Sequence, residues 1–357
     1  MSAPDAPAAG GAGAGTIYDI GYRRYEGERL GRGYAFRTLF AHSLRTAWGL
    51  GRGGRALTIP WGVLAMVSFP ALLGVVVAAL SKGEARLFEY EDYFTVVQFI
   101  VALYCASQAP ELVSTDQQHR VLPLYFSRAL RRLDYAAARL AAMVASVFIL
   151  LLVPQAILFV GQLAITQDVG AALRAEGPFV LPILASCLLA AAVLGTVSTA
   201  LASLTPRRAI ASASILGLFL VTVPVAGILS DEASGTLQRA APLFNPMMTL
   251  FMANEWMFPD RPKPPPTAKA DSTAKADSAA KADSTARADS TAKADSAAKA
   301  ASKPDSARTD SAAKAGPPRP RKPRPEPLPG PGYLAAALSL AALAAAGLFA
   351  RYARVRV

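Results

Sequence analysis

Histidine and cysteine are scarce in this sequence, with two of each among 357 residues. His42 and His119 are far apart, and neither has cysteines or grouped carboxylates near it, which argues against a zinc-type site. Cys105 and Cys187 lie inside apolar runs without a CxxC pattern, which favours packing as small apolar side chains. The sequence therefore predicts neither a metal site nor a cofactor.

Nucleotide-binding and hydrolytic motifs are also missing. No G-x-x-x-x-G-K-[ST] loop occurs, and the glycine-rich stretch GLGRGGRAL lacks the Lys and Ser/Thr that would hold phosphate and magnesium. No G-x-S-x-G nucleophile elbow occurs either. The chain is therefore predicted not to be an enzyme, and any ATP that it depends on has to be hydrolysed by another subunit.

The composition combines hydrophobicity with positive charge. Hydrophobic residues make up 53% of the sequence, and the formal net charge is +12. The arginines flank apolar runs instead of forming a stripe between aromatic residues, which argues against a nucleic-acid partner. Apolar runs separated by basic segments indicate a membrane protein whose surroundings are the lipid bilayer.

Six apolar runs predict an all-α, polytopic membrane protein, because about 20 residues of helix cross the hydrocarbon core. Five runs lie between residues 57 and 229, and the sixth is rich in alanine. The runs are Leu57 to Leu80, Phe94 to Val113, Ala137 to Leu163, Phe179 to Leu204, Ala209 to Leu229 and Tyr333 to Ala350. Small-residue stretches such as ASCLLAAAVLGTVSTA predict close packing between these helices.

Lysine and arginine counts predict the orientation, because short basic loops stay in the cytoplasm. With both termini inside, the inner segments carry eighteen Lys and Arg residues and the two short outer loops carry three. Both termini are therefore predicted to be cytoplasmic.

Ionisable residues are nearly absent from the predicted spans, which argues against a proton or sodium relay. Glu111, near the inner end of the second run, is the exception. Two interpretations stay open: an isolated functional carboxylate, or an interfacial or capping residue, of which the second is preferred.

The N-terminal region has two predicted parts. Residues 1–16 form a Gly- and Ala-rich tail that is predicted to be disordered. Residues 17–56 contain an amphipathic helix, with apolar positions at helical spacing on one side and Arg37, His42 and Arg45 on the other. We expect this helix to lie in the inner membrane surface with Trp48 as an interfacial anchor. The alternative is a soluble helix packed on a partner domain.

The outer connection before the sixth span also has two parts. Residues 230–260 are apolar but interrupted by Pro242 and Pro246, which predicts short helices at the outer membrane face. Residues 261–331 contain an Ala/Lys/Asp/Ser repeat with aspartates six residues apart, then a Pro-rich run. A step of six builds no apolar stripe, so a disordered spacer is predicted. The functional alternative is adhesion of its Lys and Arg side chains to anionic envelope polymers.

Residues 332–357 complete the chain as the sixth span and a basic tail. Two tyrosines bracket this weakly hydrophobic run in the way that interfacial aromatic residues would. They are predicted membrane-interface anchors: Tyr333 and Tyr352.

The inner connection between the second and third runs covers residues 114–136. Its pattern predicts a short helix near Asp116 to Leu122 that stops around Pro123, with Tyr125 and Phe126 at the bilayer surface. In one interpretation its arginines only hold the loop inside. Three of them are predicted to face headgroups or a protein: Arg128, Arg131 and Arg132.

Two stretches carry a family resemblance: YDIGYRRYEGERLGRGYA (Tyr18 to Ala35) and VLPLYFSRALRRLDYAAARLAA (Val121 to Ala142). Together with the order of elements, they resemble a bacterial branch of the permease subunits of type 2 ABC transporters. The resemblance covers residues 17 to about 258 and the last span. Ala129 stands where that branch commonly has proline, and Arg139 where it commonly has lysine.

The resemblance implies a permease in a bacterial inner membrane that pairs with a second permease, identical or related, and with a separate cytoplasmic ABC ATPase. The connection between the second and third spans would carry a coupling helix that docks on this ATPase and moves as a rigid lever. Export is expected rather than import. By position, the predicted ATPase contact surface is Asp116, Gln117, Gln118, His119, Arg120, Val121 and Leu122.

Two rival interpretations belong to other classes. One is a non-transporting membrane scaffold that holds an envelope component through the outer repeat. The other is an intramembrane enzyme or enzyme subunit, which the absence of convergent catalytic groups disfavours.

Overall fold

The computed structural model describes residues 26–28, 30–51, 53–81, 86–127, 130–165, 169–232, 240–258 and 330–354. Regular structure within these ranges is helical throughout. The predicted N-terminal tail, Arg128 and residues 261–329 of the predicted spacer lie outside the described residues.

Ten α-helices occur in the described part of the chain and are numbered here in chain order. They are α1 (Arg32–Ala47), α2 (Gly54–Leu80), α3 (Tyr90–Gln118), α4 (Leu122–Phe126), α5 (Arg132–Ile165), α6 (Val169–Glu176), α7 (Val180–Leu204), α8 (Arg208–Glu232), α9 (Pro246–Met257) and α10 (Gly330–Ala353). Short 3₁₀ turns at Gly177–Phe179 and Ala241–Phe244 precede α7 and α9.

Within the ranges given above, six helical segments are long and apolar enough to cross a membrane. They are formed by α2, α3, α5, α6 continued through the 3₁₀ turn into α7, α8 and α10. The all-α, multi-pass prediction is confirmed.

Several helices begin earlier than the apolar runs predict. Helix α3 starts at Tyr90, where Glu91 and Asp92 occupy the first turn and interact favourably with the helix dipole. Helix α5 starts at Arg132, because the Asp134 carboxylate accepts a hydrogen bond from the Arg131 backbone N–H at 3.1 Å, as in a capping box. Polar first turns therefore extend the helices beyond their apolar segments.

Helices α5 and α7 form the centre of the bundle. Helix α5 packs against α1, α2 and α7, while α3 packs against α7 and α8, and α10 against α7 and α9. A Cβ on Gly195 of α7 would lie 3.0 Å from a Val144 methyl carbon and 3.2 Å from the Val144 Cα on α5. This close approach confirms the prediction that the small residues of α7 serve helix packing.

The amphipathic helix α1 lies against the chain's own α5. Its buried side includes Leu39 and Ser43, and the exposed side carries the predicted basic residues. Trp48 is only 7% exposed. Its ring packs edge-on against Trp61, with 6.0 Å between ring centroids, and lies tilted against Tyr104 at 6.2 Å. This differs from the predicted membrane-surface anchor: Trp48 anchors α1 to the bundle.

The segment before α10 is broken, as its prolines predict. Helix α9 has 12 residues, so at 1.5 Å per residue it spans about 18 Å, too short for a membrane core of about 30 Å. The Asn245 side chain caps it by accepting a hydrogen bond from the Met247 N–H at 2.8 Å. It packs against α10, α3 and α7.

The end of α9 and the start of α10 lie side by side. The Trp256 ring approaches Gly330 so closely that a Cβ at Gly330 would overlap the indole. Glycine is therefore the residue that fits at the start of α10. Trp256 and Gly330 are therefore neighbours in space although 74 positions separate them in the sequence.

Tyr333 and Tyr352, at the two ends of α10, are both buried. Their rings contact the protein interior, which differs from the prediction that they face the membrane interface as anchors. The sequence pattern located both tyrosines near the helix ends, but it did not show which side of α10 faces its neighbours.

Candidate functional site at the α3–α5 connection

One end of the bundle, called the basic end, holds most of the described arginines of the segments predicted to be cytoplasmic. It comprises α1, the C-terminal ends of α3, α7 and α10, the N-terminal ends of α5 and α8, and helix α4. Hydrogen bonds and ion pairs across this end join α3 directly to α5, α7, α8 and α10. Arg139 on α5, which pairs with α3, also links it to α1. The predicted ATPase-contact residues lie here.

Helix α3 ends in a Schellman motif. The Val121 N–H donates to the Asp116 carbonyl, and the Arg120 N–H donates to the Gln117 carbonyl, both at 3.2 Å. Arg120 has φ 53°, a left-handed conformation that is usually occupied by glycine and costs an L-residue about 1–2 kcal/mol. The connection therefore turns sharply, with a strained arginine at its apex.

Helix α4 follows this turn directly. The prediction that Pro123 stops a helix is wrong: Pro123 lies in the first two positions of α4. Proline suits that position because the N–H it lacks would have no partner within the helix. The connection is thus a tight turn followed by a short second helix.

A buried ion pair fixes the base of the connection. The Arg139 guanidinium on α5, whose residue is 4% exposed, pairs with the Asp116 carboxylate on α3. Arg139 also donates to Ser43 Oγ on α1 at 3.0 Å, and the Tyr135 hydroxyl donates to Asp116 at 2.7 Å. The guanidinium carbon lies 5.4 Å from the Tyr135 ring centroid. Buried charges need such partners, so this pair holds α1, α3 and α5 in one arrangement.

Gln117 extends the same base to two further helices. Its Nε2 donates to the Ser203 carbonyl on α7 at 3.0 Å and to the Tyr352 hydroxyl on α10 at 3.2 Å. Asp116 and Gln117 therefore face the protein interior. The predicted contact surface needs correction at these two residues, because their side chains hold the connection in place instead of facing a partner.

Aromatic side chains fill the space beneath α4. Around the Tyr135 ring lie Tyr125 at 5.4 Å, Phe126 at 6.0 Å and Tyr352 at 5.4 Å between centroids. Tyr125 and Phe126 thus pack inward, and the prediction that they lie at the bilayer surface is corrected. Burial raises the pKa of Tyr125, and the negative charge of Asp116 raises it further, so the Tyr125 phenol stays neutral.

The outward side of the connection is exposed. Gln118, His119 and Arg120 face solvent, as a contact surface requires, while Val121 and Leu122 are half-buried. Leu124 is 68% exposed and lies just beyond the predicted set. An apolar side chain displayed beside a charged turn extends the candidate surface into α4.

A groove of about 590 Å³ adjoins this surface, between α4, the start of α5 and the end of α10. Phe126 and Leu130 give it apolar walls, and Arg131 and Arg132 give it positive charge. Arg131 is exposed and Arg132 half-buried. These two predicted interface arginines therefore line a protein groove next to the turn.

A second ion pair joins the start of α1 to the start of α5. Arg32 donates from Nε to one Asp134 oxygen at 2.6 Å and from a terminal nitrogen to the other at 2.5 Å. The hydrogen bonds to Asp134 raise the pKa of Arg32. Because Arg32 is largely exposed, this pair orients α1 more than it stabilises the fold.

Glu111 forms an ion pair with Arg208 at the start of α8. The Glu111 side chain is mostly buried, whereas that of Arg208 is half exposed. One turn further along α3, Ser114 Oγ donates to the Ala202 carbonyl of α7 at 2.8 Å. Glu111 is thus a partnered residue between helix ends, which favours the interfacial interpretation over an isolated functional carboxylate.

The described residues hold no group of three or more His, Cys, Asp or Glu side chains placed to bind a metal ion. Cys105 and Cys187 are free and buried, as their apolar surroundings predict. Comparison of the chain with family models, with curated proteins and with solved structures gives no match. The geometry of the basic end is therefore the feature that bears on function.

Proposed function

We propose that this chain is the permease subunit of an ATP-driven ABC transporter, with its basic end in the cytoplasm of a bacterium and its helices in the inner membrane. The observation that supports the proposal is the construction of the α3–α5 connection, which has an exposed tip on a buried base. The tip offers Gln118, His119, Arg120 and Leu124 to a partner.

The base would transmit force from the tip into the bundle. Arg139, Asp116 and Gln117 join α3 to α1, α5, α7 and α10. Packed interiors resist compression, so displacement of α4 would move these helix ends together. A topogenic loop, whose only task is to stay in the cytoplasm, would not need a buried ion pair.

The proposal requires partners. ATP would be hydrolysed by a separate cytoplasmic ABC ATPase that binds the tip and the adjoining groove, whose arginines favour an acidic partner surface. A second permease, identical or related, would complete the transport pathway. Apolar side chains are exposed along α2 and α8, including Phe69, Leu72 and Val221, and would contact lipid or that second permease. We propose export of the substrate.

Docking can be tested with glutamate substitutions in the full-length chain. The tagged chain is expressed in its native host, and the detergent-solubilised complex is isolated through the tag and searched for a P-loop ATPase. Arg120→Glu and Leu124→Glu are expected to lose the ATPase. Arg45→Glu is the matched control, since Arg45 is also exposed at the basic end but lies on α1.

The outcomes separate the alternatives. Loss of the ATPase with both tip variants and retention with Arg45→Glu supports docking at the tip. If all three variants retain the ATPase, the proposed docking surface is wrong, although the ATPase is still a partner of the chain. Failure of the unmodified chain to bind any ATPase overturns the transporter proposal and favours the scaffold interpretation.

A further inference from the structure

A small cavity lies away from the basic end, where α3, α5, α7 and α9 meet. Its volume is about 10 Å³, close to the roughly 10–15 Å³ that one water molecule needs. Several of the side chains that line it are polar or polarisable: Tyr93 on α3, Gln155 on α5, Ser186 and Cys187 on α7, and Asn254 on α9.

Two amide groups at this cavity have incomplete hydrogen bonding. Gln155 is 5% and Asn254 3% exposed. Gln155 Nε2 donates to the Tyr90 carbonyl at 3.0 Å. Gln155 Oε1 and Asn254 Oδ1, however, receive no hydrogen bond from any described residue. A buried acceptor without a donor destabilises the fold, so two such acceptors beside one cavity indicate a shared donor.

We propose that this cavity binds one ordered water molecule that donates one hydrogen bond to Gln155 Oε1 and the other to Asn254 Oδ1. Water has two donor hydrogens, which matches the two acceptors, and its lone pairs can accept from the Cys187 thiol. The site is independent of the proposed transport function.

Other small ligands fit these groups less well. An alkali or alkaline-earth cation needs about six oxygen ligands, whereas the two amide oxygens and the Ser186 hydroxyl oxygen supply at most three here. An apolar molecule would leave both acceptors without donors. The volume admits a single small molecule, and water satisfies both oxygens at once.

The water would join α9 to the bundle. Asn254 is on α9, whereas Gln155 is on α5, the central helix. A polar contact between them through water is easier to break and remake than a dry apolar contact of the same size, because bulk water offers the same hydrogen bonds. This site therefore adds a water-mediated polar contact to the packing of α9 against α3, α7 and α10.

Radiolytic footprinting in ¹⁸O-labelled water tests the proposal on the full-length protein in detergent. Ionising radiation forms hydroxyl radicals from water where it lies, and these oxidise adjacent buried side chains. Cys187 lines the cavity, whereas Cys105 is a buried thiol elsewhere in the bundle and serves as the internal control. We expect Cys187 to gain ¹⁸O several-fold faster than Cys105.

Asn254→Leu removes one acceptor and is expected to reduce Cys187 oxidation to the rate of Cys105. Equal rates for the two thiols in the unmodified protein would overturn the proposal, whether or not the variant folds. Faster oxidation of Cys187 that persists in folded Asn254→Leu would also overturn it, since the water would then be held by other groups.

Discussion

Asp116 and Arg139 are separated by 23 residues in the sequence and form an ion pair inside the protein. The pair lies beneath the exposed turn at Arg120. Asp116, which joins the turn to α5, and Arg120, at the apex of the turn, therefore belong to one hydrogen-bonded unit.

Removal of one member of the buried pair should destabilise the protein strongly. Asp116→Leu is expected to lower the free energy of unfolding by about 3–5 kcal/mol, because Arg139 stays buried without its counter-ion. The double variant Asp116→Leu/Arg139→Met should recover most of this loss. Denaturant unfolding in detergent, followed by circular dichroism, measures both effects.

Arg32→Ala is the control for that experiment, because it breaks an ion pair whose arginine is exposed. Its effect on unfolding is expected to be much smaller and to fade as salt is added. If the Asp116 single variant and the double variant prove equally unstable, the buried charge of Arg139 is not the cause.

The left-handed backbone conformation of Arg120 should make this position favour glycine. Arg120→Gly is expected to leave the protein equally stable or to stabilise it by up to about 1 kcal/mol, because glycine adopts the left-handed conformation without strain. Arg120→Val should instead destabilise it, since a β-branched residue tolerates positive φ poorly. Unfolding temperatures of the three proteins test this order, and a glycine variant less stable than the valine variant would contradict the Schellman geometry.

Close contact between α5 and α7 should make Gly195 intolerant of larger side chains. Gly195→Val is expected to cost about 1–3 kcal/mol through overpacking against Val144. Gly217→Val on α8 is the matched control, because a Cβ there meets no described atom within 4 Å. Equal losses in thermal unfolding for the two variants would show that helix propensity, not contact, decides the cost.

Deletion of residues 267–314 should leave the bundle intact. The remaining connection still joins α9 to α10, whose facing residues Trp256 and Gly330 are already in contact. The unfolding temperature and ATPase association are expected to be unchanged. Loss of envelope association alone would support adhesion by the repeat, whereas loss of folding would contradict the idea that the bundle is complete without these residues.

The six spans could be predicted from the sequence because each depends on local composition: about 20 apolar residues without charge suffice to identify a membrane helix. The position of the α3–α5 connection follows from the same runs. Its helix boundaries were less predictable, since Pro123 can either end a helix or begin one.

The inward side of the candidate site could not be read from the sequence. Nothing local distinguishes Asp116, which pairs with Arg139, from Gln118, which faces solvent, because the choice depends on which helices pack around α3. Tyr135 and Arg139 lie four residues apart on one side of α5, but this spacing alone does not show that their polar groups meet a buried carboxylate. The same limit applies to Trp48, because an amphipathic pattern does not specify which element covers the apolar side of a helix.

The contact between Trp256 and Gly330 also bears on how the length of the connection between α9 and α10 can change. The entropy cost of closing a flexible connection grows only with the logarithm of its length, by about 0.6 kcal/mol for each doubling. A gain or loss of one six-residue unit would therefore alter the stability of the bundle very little. We therefore expect a change in the number of repeat units to leave the packing of α9 against α10 unchanged.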